Sequence, residues 1–261
     1  MAHKTLVSGT AYEIGGGKVL VGGTGYSIDK GRTKVGGTGY DISFITGTPI
    51  GSLAVGTSVY MNVGGERTEF LIVNQGRPSS DIYDTSCDGT WLLTKDIYTD
   101  DEVWDSLYND YRNSDIHAYL NNTFLGLFDS DIQSVIKQVK IPYHNDKGNS
   151  GSISSGAYGL STKIFLLAGR EVGLSYYTNY PADGVRLSYF TDNSKRIATY
   201  NGTADYWCLR SPGLSVYDTV WCVSATGNTV GEYKVKIYHQ IRPALVLPSE
   251  TTVDGNFNVI A

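Results

Sequence analysis

The chain is short of cysteine, of clustered positive charge and of long apolar runs, and each shortage removes a class of protein. No stretch approaches the roughly 18 consecutive apolar residues of a membrane-spanning helix, so no membrane partner is expected. The opening residues, Met1 to Gly9, also lack the apolar run of a secretory signal. The expectation is a chain that folds in the cytoplasm of the cell making it and reaches the outside by lysis or a dedicated machine. Lys and Arg number 21 against 26 Asp and Glu, so 21 − 26 = −5, and the cations form no block. Gripping a phosphate backbone takes clustered Lys and Arg, so nucleic acid is not an expected partner.

The three cysteines, Cys87, Cys208 and Cys222, include no Cys-x-x-Cys, and the four histidines are scattered. Buried or half-exposed thiols are expected, rather than a disulfide framework or a zinc site. Catalytic patterns are missing as well. No Gly-x-Ser-x-Gly elbow presents a serine nucleophile; Gly151-Ser-Ile-Ser-Ser155 reads as a loop of small residues. Asp96, Asp100, Asp101, Glu102 and Asp105 read as a solvated turn and lack the ligand spacing of an EF-hand. No catalytic residue, metal or cofactor is expected.

What the chain has in abundance is glycine and tyrosine: 31 Gly and 20 Tyr among 261 residues, with many Ser, Thr and Asn. Strand-formers and turn-formers outweigh helix-formers. The same mixture serves binding loops, where Tyr supplies contact area at low entropic cost.

The beginning of the chain repeats itself. Val7-Ser-Gly-Thr-Ala-Tyr12-Glu-Ile14, Val21-Gly-Gly-Thr-Gly-Tyr26-Ser-Ile28 and Val35-Gly-Gly-Thr-Gly-Tyr40-Asp-Ile42 align without gaps at a period of 14. Thr, Tyr and Ile fall at every second position, which suits one face of a strand. One unit cannot hold a core, so burial must come from stacked repeats or other chains. Residues 1–46 are therefore expected to form an assembly and docking segment, ordered by oligomerisation as an intertwined trimer. Residues 47–57 read as a linker and 58–261 as the globular domain. Within that domain, Ser58–Val63 and Glu69–Val73 read as strands paired around Gly64-Gly65. Trp91-Leu92-Leu93 and Ile164–Leu167 read as further strands. A helix is expected from a cap at Ser114, and a second over 130–139. The expected class is α+β, with two helices against a sheet.

A family likeness sharpens this. The string Trp207-Cys-Leu-Arg210-Ser211-Pro212, then Val223 and Gly227, leads to Ile241-Arg242-Pro243-Ala244-Leu245. Upstream stand Trp91-Leu-Leu, Trp104, Tyr119-Leu120-Asn121, Phe124, and Phe165-Leu166-Leu167 followed by Glu171. Together they resemble a domain common in gut Gram-positive bacteria and their phages, over roughly residues 56–248. Such domains are similar to the C-type-lectin fold in its formylglycine-generating-enzyme branch, and many resemble variable proteins of diversity-generating retroelements. The resemblance implies a C-type-lectin-like binding domain behind the Gly-rich β-repeat. It departs from the pattern at Cys208, where the family's usual Trp-Trp pair has its second Trp. Formylglycine generation needs redox-active or copper-binding cysteines. Cys208 and Cys222 are the close pair here, with nothing beside them in sequence to activate a thiolate, so no enzyme is expected. The Glu-Pro-Asn and Trp-Asn-Asp motifs of calcium-dependent lectins are missing too, which implies metal-independent recognition.

In those variable proteins, Asn codons of a template are randomised while a scaffold is held fixed. Asp205, Tyr206, Cys208, Leu214, Val216, Tyr217, Asp218, Cys222, Ser224, Tyr233, Tyr238 and His239 are all reachable from Asn codons. The expected ligand-binding residues are Tyr206, Leu214, Val216, Tyr217, Asp218, Trp221, Glu232, Tyr233, Lys234, Tyr238 and His239. Arg210 and Arg242, each able to fork two hydrogen bonds, are the expected anchors, packed with Trp207 and Pro243. The other reading is an ordinary strand whose aromatics alternate, half of them facing the core. The implied function is a phage tail-associated receptor-binding protein for a bacterial surface protein or glycan. It would be a homo-oligomer docked to other virion proteins through residues 1–46, and extracellular after lysis. A purely structural capsid or tail decoration is the alternative.

Overall fold

A computed structural model describes residues 4–7, 10–13, 18–21, 24–27, 30–35, 38–43, 47–145, 152–174, 182–213, 217–228 and 230–261, the first six of these stretches by backbone alone. The chain divides into two compact units, Met1–Thr48 and Pro49–Ala261. In the first, Lys4–Val7 pairs with Thr10–Glu13, Lys18–Val21 with Thr24–Ser27, and Lys30–Val35 with Thr38–Ser43. Each hairpin is its own two-stranded sheet. This corrects the expected Gly-rich β-repeat: of its two expected sources of burial, stacked units are not shown, because no ladder joins one described hairpin to the next. The side chains on which the expected trimer rests lie outside the described residues.

The second unit is organised by a five-stranded antiparallel sheet in the order Ile164–Phe165, Ala244–Leu247, Thr90–Thr94, Glu66–Gln75, Ser58–Val63. Gly64 and Gly65 connect the last two strands with φ of 63° and 87°. A two-residue hairpin turn of matching twist needs positive φ at both positions, which glycine supplies without steric cost. Thr90–Thr94 and Ala244–Leu247 are buried along their whole length, as strands covered on both faces must be. Trp91 is the hub. Its indole donates to the Cys87 carbonyl at 2.9 Å, and its ring meets Tyr83 and Phe165 edge-on.

Around this sheet lie small antiparallel sheets: Thr99–Val103 with Tyr238–Ile241, Val139–Ile141 with Leu160–Thr162, and Trp207–Pro212 with Thr219–Val223 and Val230–Lys234. The expected α+β class is thereby corrected: the molecule is β-rich. Ser114 does cap a helix, its hydroxyl accepting from His117 N at 3.2 Å, but the α turns cover only Asp115–Tyr119. A π turn, Leu120–Phe124, and a tight 3₁₀ turn, Leu125–Leu127, follow. The second expected helix stops at Val135 because Ile136 is extended, and Val139–Ile141 joins a sheet instead. β-branched residues favour that outcome. No helix among the described residues is long and apolar enough to cross a membrane.

Candidate recognition face and the buried anchors beneath it

The strands Trp207–Pro212 and Thr219–Val223 are buried on both faces. Nothing on them faces outward, so any contact surface must come from the edge strand Val230–Lys234 and from turns. Three turns are tied side by side at this end of the molecule. Asn109, itself buried, accepts the chain there: its N–H donates to Tyr217 O at 2.8 Å and its side-chain amide to Thr219 O at 2.7 Å. Asp105 N donates to Val235 O at 3.1 Å, and Val235 N to Asp218 O at 2.9 Å. The Asp105 carboxylate folds the loop by accepting from Leu107 and Tyr108 N–H at 2.8 and 2.7 Å. These turns carry Leu107, Tyr108, Tyr217 and Ile237, and the strand Tyr238–Ile241 begins directly after the last of them; all five side chains are exposed, Tyr238 to 65% and Tyr217 to 59%. Large apolar side chains held outward by fixed backbone, rather than on loose loops, are what a preorganised contact surface requires.

The described ones among the expected site residues divide three ways. Tyr217, Glu232, Lys234 and Tyr238 are exposed and Asp218 half-exposed, with Lys234 and Asp218 paired at 2.8 Å. Tyr206 and Tyr233 are half-buried and stack face to face with centroids 4.6 Å apart. Trp221 and His239 point inward, His239 with no exposure at all, so these two do not belong to the face. Leu214 and Val216 lie outside the described residues. Leu107, Tyr108 and Ile237 were not singled out from the sequence. For Leu107 and Tyr108 a signal was available in retrospect, as large apolar residues interrupting the polar run 105–110; for Ile237 there was none, since Val235 two residues earlier is fully buried.

His239 is buried for a reason the sequence spacing hid. Cys208 and Cys222 are directly opposite across their two strands, with Cα atoms 3.9 Å apart, and their sulfurs are bonded. This corrects the expectation of separate thiols. His239 Nδ1 lies 3.2 Å from Cys208 Sγ, and its Nε2 lies 2.9 Å from Lys234 O. Burial holds the His239 imidazole below its usual pKa. Among the described residues, these three side chains form a group able to converge on a metal ion. The remaining cysteine, Cys87, is buried, and desolvation pushes its thiol up to about 11, which makes it unreactive.

The expected anchors are buried and do fork. Arg210 meets the Glu171 carboxylate through Nη1 at 2.6 Å and Nη2 at 2.7 Å, and also donates to the carbonyls of Pro142, Leu166 and Asp183. Glu171 accepts further bonds from Tyr83 Oη at 2.7 Å and Ala168 N at 2.8 Å. Arg242 donates to the Thr94 and Lys95 carbonyls and lies over the Trp207 ring, 4.7 Å from its centroid. Pro243 is buried beside it, its carbonyl accepting from Thr94 N at 3.0 Å.

Asp183 belongs to the same network. Ser211 Oγ donates to its Oδ2, whereas Oδ1 has no hydrogen-bond partner among the described residues. Burial pushes its pKa up to about 6; Arg210 and the Ser211 bond lower it, and Glu171 adds to the rise. His144 lies 3.9 Å away. The folded state therefore holds this proton more tightly than the unfolded chain, whose ordinary value is 3.8. The resulting stability is fully present below pH 3.8 and is lost as pH rises through about 6. About two pKa units correspond to roughly 3 kcal/mol. Asp183→Asn, which mimics the protonated form, is expected to gain on the parent chain between pH 4 and pH 7 by about that amount. Urea midpoints of both proteins across this range check it, and a pH-independent difference would rule it out.

The described residues within 49–261 thus form a β-rich scaffold pinned by buried arginines, with exposed aromatic side chains at one end. A family model described as a domain of unknown function (DUF6273) matches residues 88–249. That is more than half of the chain, which therefore belongs to this family. No curated protein and no solved structure matches it.

Proposed function

We propose that this chain is a virion-borne recognition protein that holds a bacterial surface ligand on the turns and adjoining strand end carrying Leu107, Tyr108, Tyr217, Ile237 and Tyr238. The observation carrying this reading is that five large side chains stand exposed on three turns, whose backbones are bonded to one another, and on the strand end that adjoins them. Tyr158, Ile197 and Phe257 are also exposed, on other segments, but several large side chains on neighbouring, mutually bonded segments mark an interaction surface, and Tyr-rich ones serve as rigid anchors. The Asp218–Lys234 pair at the margin supplies polar selectivity. The resemblance of the Leu-Arg-Ser-Pro and Arg-Pro-Ala-Leu strings to variable phage and bacterial proteins supports a virion setting and a bacterial partner. Several copies on one particle would strengthen a weak single contact.

The full chain, fluorescently labelled, is to be titrated onto a panel of gut Gram-positive cells, beside Tyr217→Ala/Tyr238→Ala. Saturable binding is expected, weakened at least ~10-fold in the double variant, as loss of one or two anchor residues implies. Its melting temperature should not move, because both side chains are exposed. Equal binding by both proteins would sink the assignment of the face. Binding to no strain would favour a purely structural decoration of the particle.

A further inference from the structure

We propose that Cys208, Cys222 and His239 form a zinc site that is closed by the disulfide and opened by reduction. The three donors come from three different strands, and no exposure remains at any of them. Their ligand atoms lie within 4.8 Å of one another. Zinc holds thiolate at ~2.3 Å and imidazole nitrogen at ~2.0–2.1 Å. Donors around it therefore sit about 3.5–3.8 Å apart, a spacing reached once the sulfurs separate.

The orientation of His239 points to a ligand independently of the cysteines. Its Nε2 faces the Lys234 carbonyl at 2.9 Å, a distance at which the ring nitrogen must carry the proton and donate it. Nδ1 is then a bare lone pair, aimed at Cys208 Sγ from 3.2 Å. A disulfide sulfur has no proton to offer it. A buried acceptor facing a group that cannot donate is costly, and a thiol proton or a metal ion removes that cost. An imidazole whose far N–H is fixed by a backbone carbonyl is also how metal-binding histidines are usually held.

Charge selects the metal. Two thiolates and one neutral imidazole around a divalent ion sum to zero, whereas a monovalent ion would leave a net negative charge in a fully buried site. Uncompensated buried charge is strongly disfavoured, so zinc fits and copper(I) does not. Three protein donors leave one tetrahedral position for a small ligand.

The steps balance. A dithiol reductant gives two electrons and two protons; the Sγ–Sγ bond breaks, and the reductant closes its own disulfide. Zinc then displaces both thiol protons to solvent and binds the two thiolates and His239 Nδ1.

The test uses the full chain, oxidised and reduced, with Zn²⁺ alone as the probe and cobalt(II) as its spectroscopic substitute. The reduced chain is expected to take up one equivalent of zinc and to show thiolate-to-cobalt charge transfer, and the oxidised chain to take up none. Cys87→Ser should change nothing, because Cys87 stands apart, bonded to the Lys140 carbonyl. His239→Gln should weaken zinc binding by at least ~100-fold, beyond what loss of a supporting group costs. Cys222→Ser should abolish the charge-transfer band. A reduced chain that keeps its near-ultraviolet circular dichroism yet binds no zinc would overturn the proposal. So would a reduced chain that loses that signal and does not regain it with zinc, or zinc binding indifferent to His239→Gln. None of these outcomes depends on the recognition face.

Discussion

Glu171→Ala is expected to cost about 3–5 kcal/mol of folding stability, the usual penalty for stranding a buried charge. Glu171 and the Arg210 side chain are essentially without exposure. Among the described residues, the carboxylate is the one negative group bonded to that guanidinium, and it also satisfies Tyr83 Oη and Ala168 N–H. Removing it orphans three buried donors at once. Glu171→Gln keeps the shape but loses the charge and sets an amide against one donor, so an intermediate loss is expected. Arg210→Met combined with Glu171→Leu should cost less than the two single changes summed, because each single change strands its partner. Full recovery is not expected, since Arg210 also serves the carbonyls of Pro142, Leu166 and Asp183. Urea unfolding of the parent, Glu171→Ala, Glu171→Gln, Arg210→Met, Glu171→Leu and the Arg210→Met/Glu171→Leu double variant measures this. A loss under about 1 kcal/mol for Glu171→Ala would place the pair among surface-like ion pairs and contradict the network described here.

Trp207→Ala should be comparably severe, about 3–5 kcal/mol, as for other large-to-small core changes. The indole is fully buried, donates to the Arg196 carbonyl at 2.9 Å and supplies the ring over which Arg242 lies. Among the described residues Arg242 has no carboxylate as a hydrogen-bond partner, and burial lowers its pKa to about 10. The ring face and two carbonyls are what stabilise its charge. Losing the ring therefore combines a cavity with a poorly compensated cation. Trp207→Phe keeps a face for Arg242 but orphans the Arg196 carbonyl, and an intermediate loss follows. If thermal unfolding showed Trp207→Ala within a few degrees of the parent, the Trp207–Arg242 contact would not be an anchor.

The features readable in the sequence were those whose chemistry is local or restrictive. Gly64-Gly65 announced a hairpin because few other residue pairs take positive φ twice. Ser114 announced a helix start through its cap. Arg210 and Arg242 stood out as forks, and both are buried and forked, although their acceptors, Glu171 and main-chain carbonyls, were not derivable. The fold class was not legible. The apolar spacing of 116–128 fits a helix, yet the chain realises it as α, π and 3₁₀ turns in succession. Val135, Ile136 and Val139 fit helical spacing equally well, but pairing with Leu160–Thr162 decides the matter. On the face, neighbouring residues have opposite fates: Tyr238 is exposed and His239 buried, a distinction set by register alone. The Cys208–Cys222–His239 group was invisible for the same reason. Cross-strand pairing, not spacing along the chain, brings it together. That group also bears on diversification, because Cys208, Cys222 and His239 are not outward positions where side chains change without consequence.

The order of the central sheet sets a timetable for folding. Ala244–Leu247 lies between Ile164–Phe165 and Thr90–Thr94, with Thr90 opposite Leu247. On a ribosome the strand on one side of this gap is finished long before its neighbour is made, and the sheet cannot close until residue 247 has emerged. Until then Trp91, Leu92 and Leu93 present an unpaired apolar edge. Contacts so distant along the chain make for slow folding, and exposed edges in the interval invite pairing with other chains. Copies of this protein are thus vulnerable to aggregation until Ala244–Leu247 has emerged, and that vulnerability ends once the strand is added.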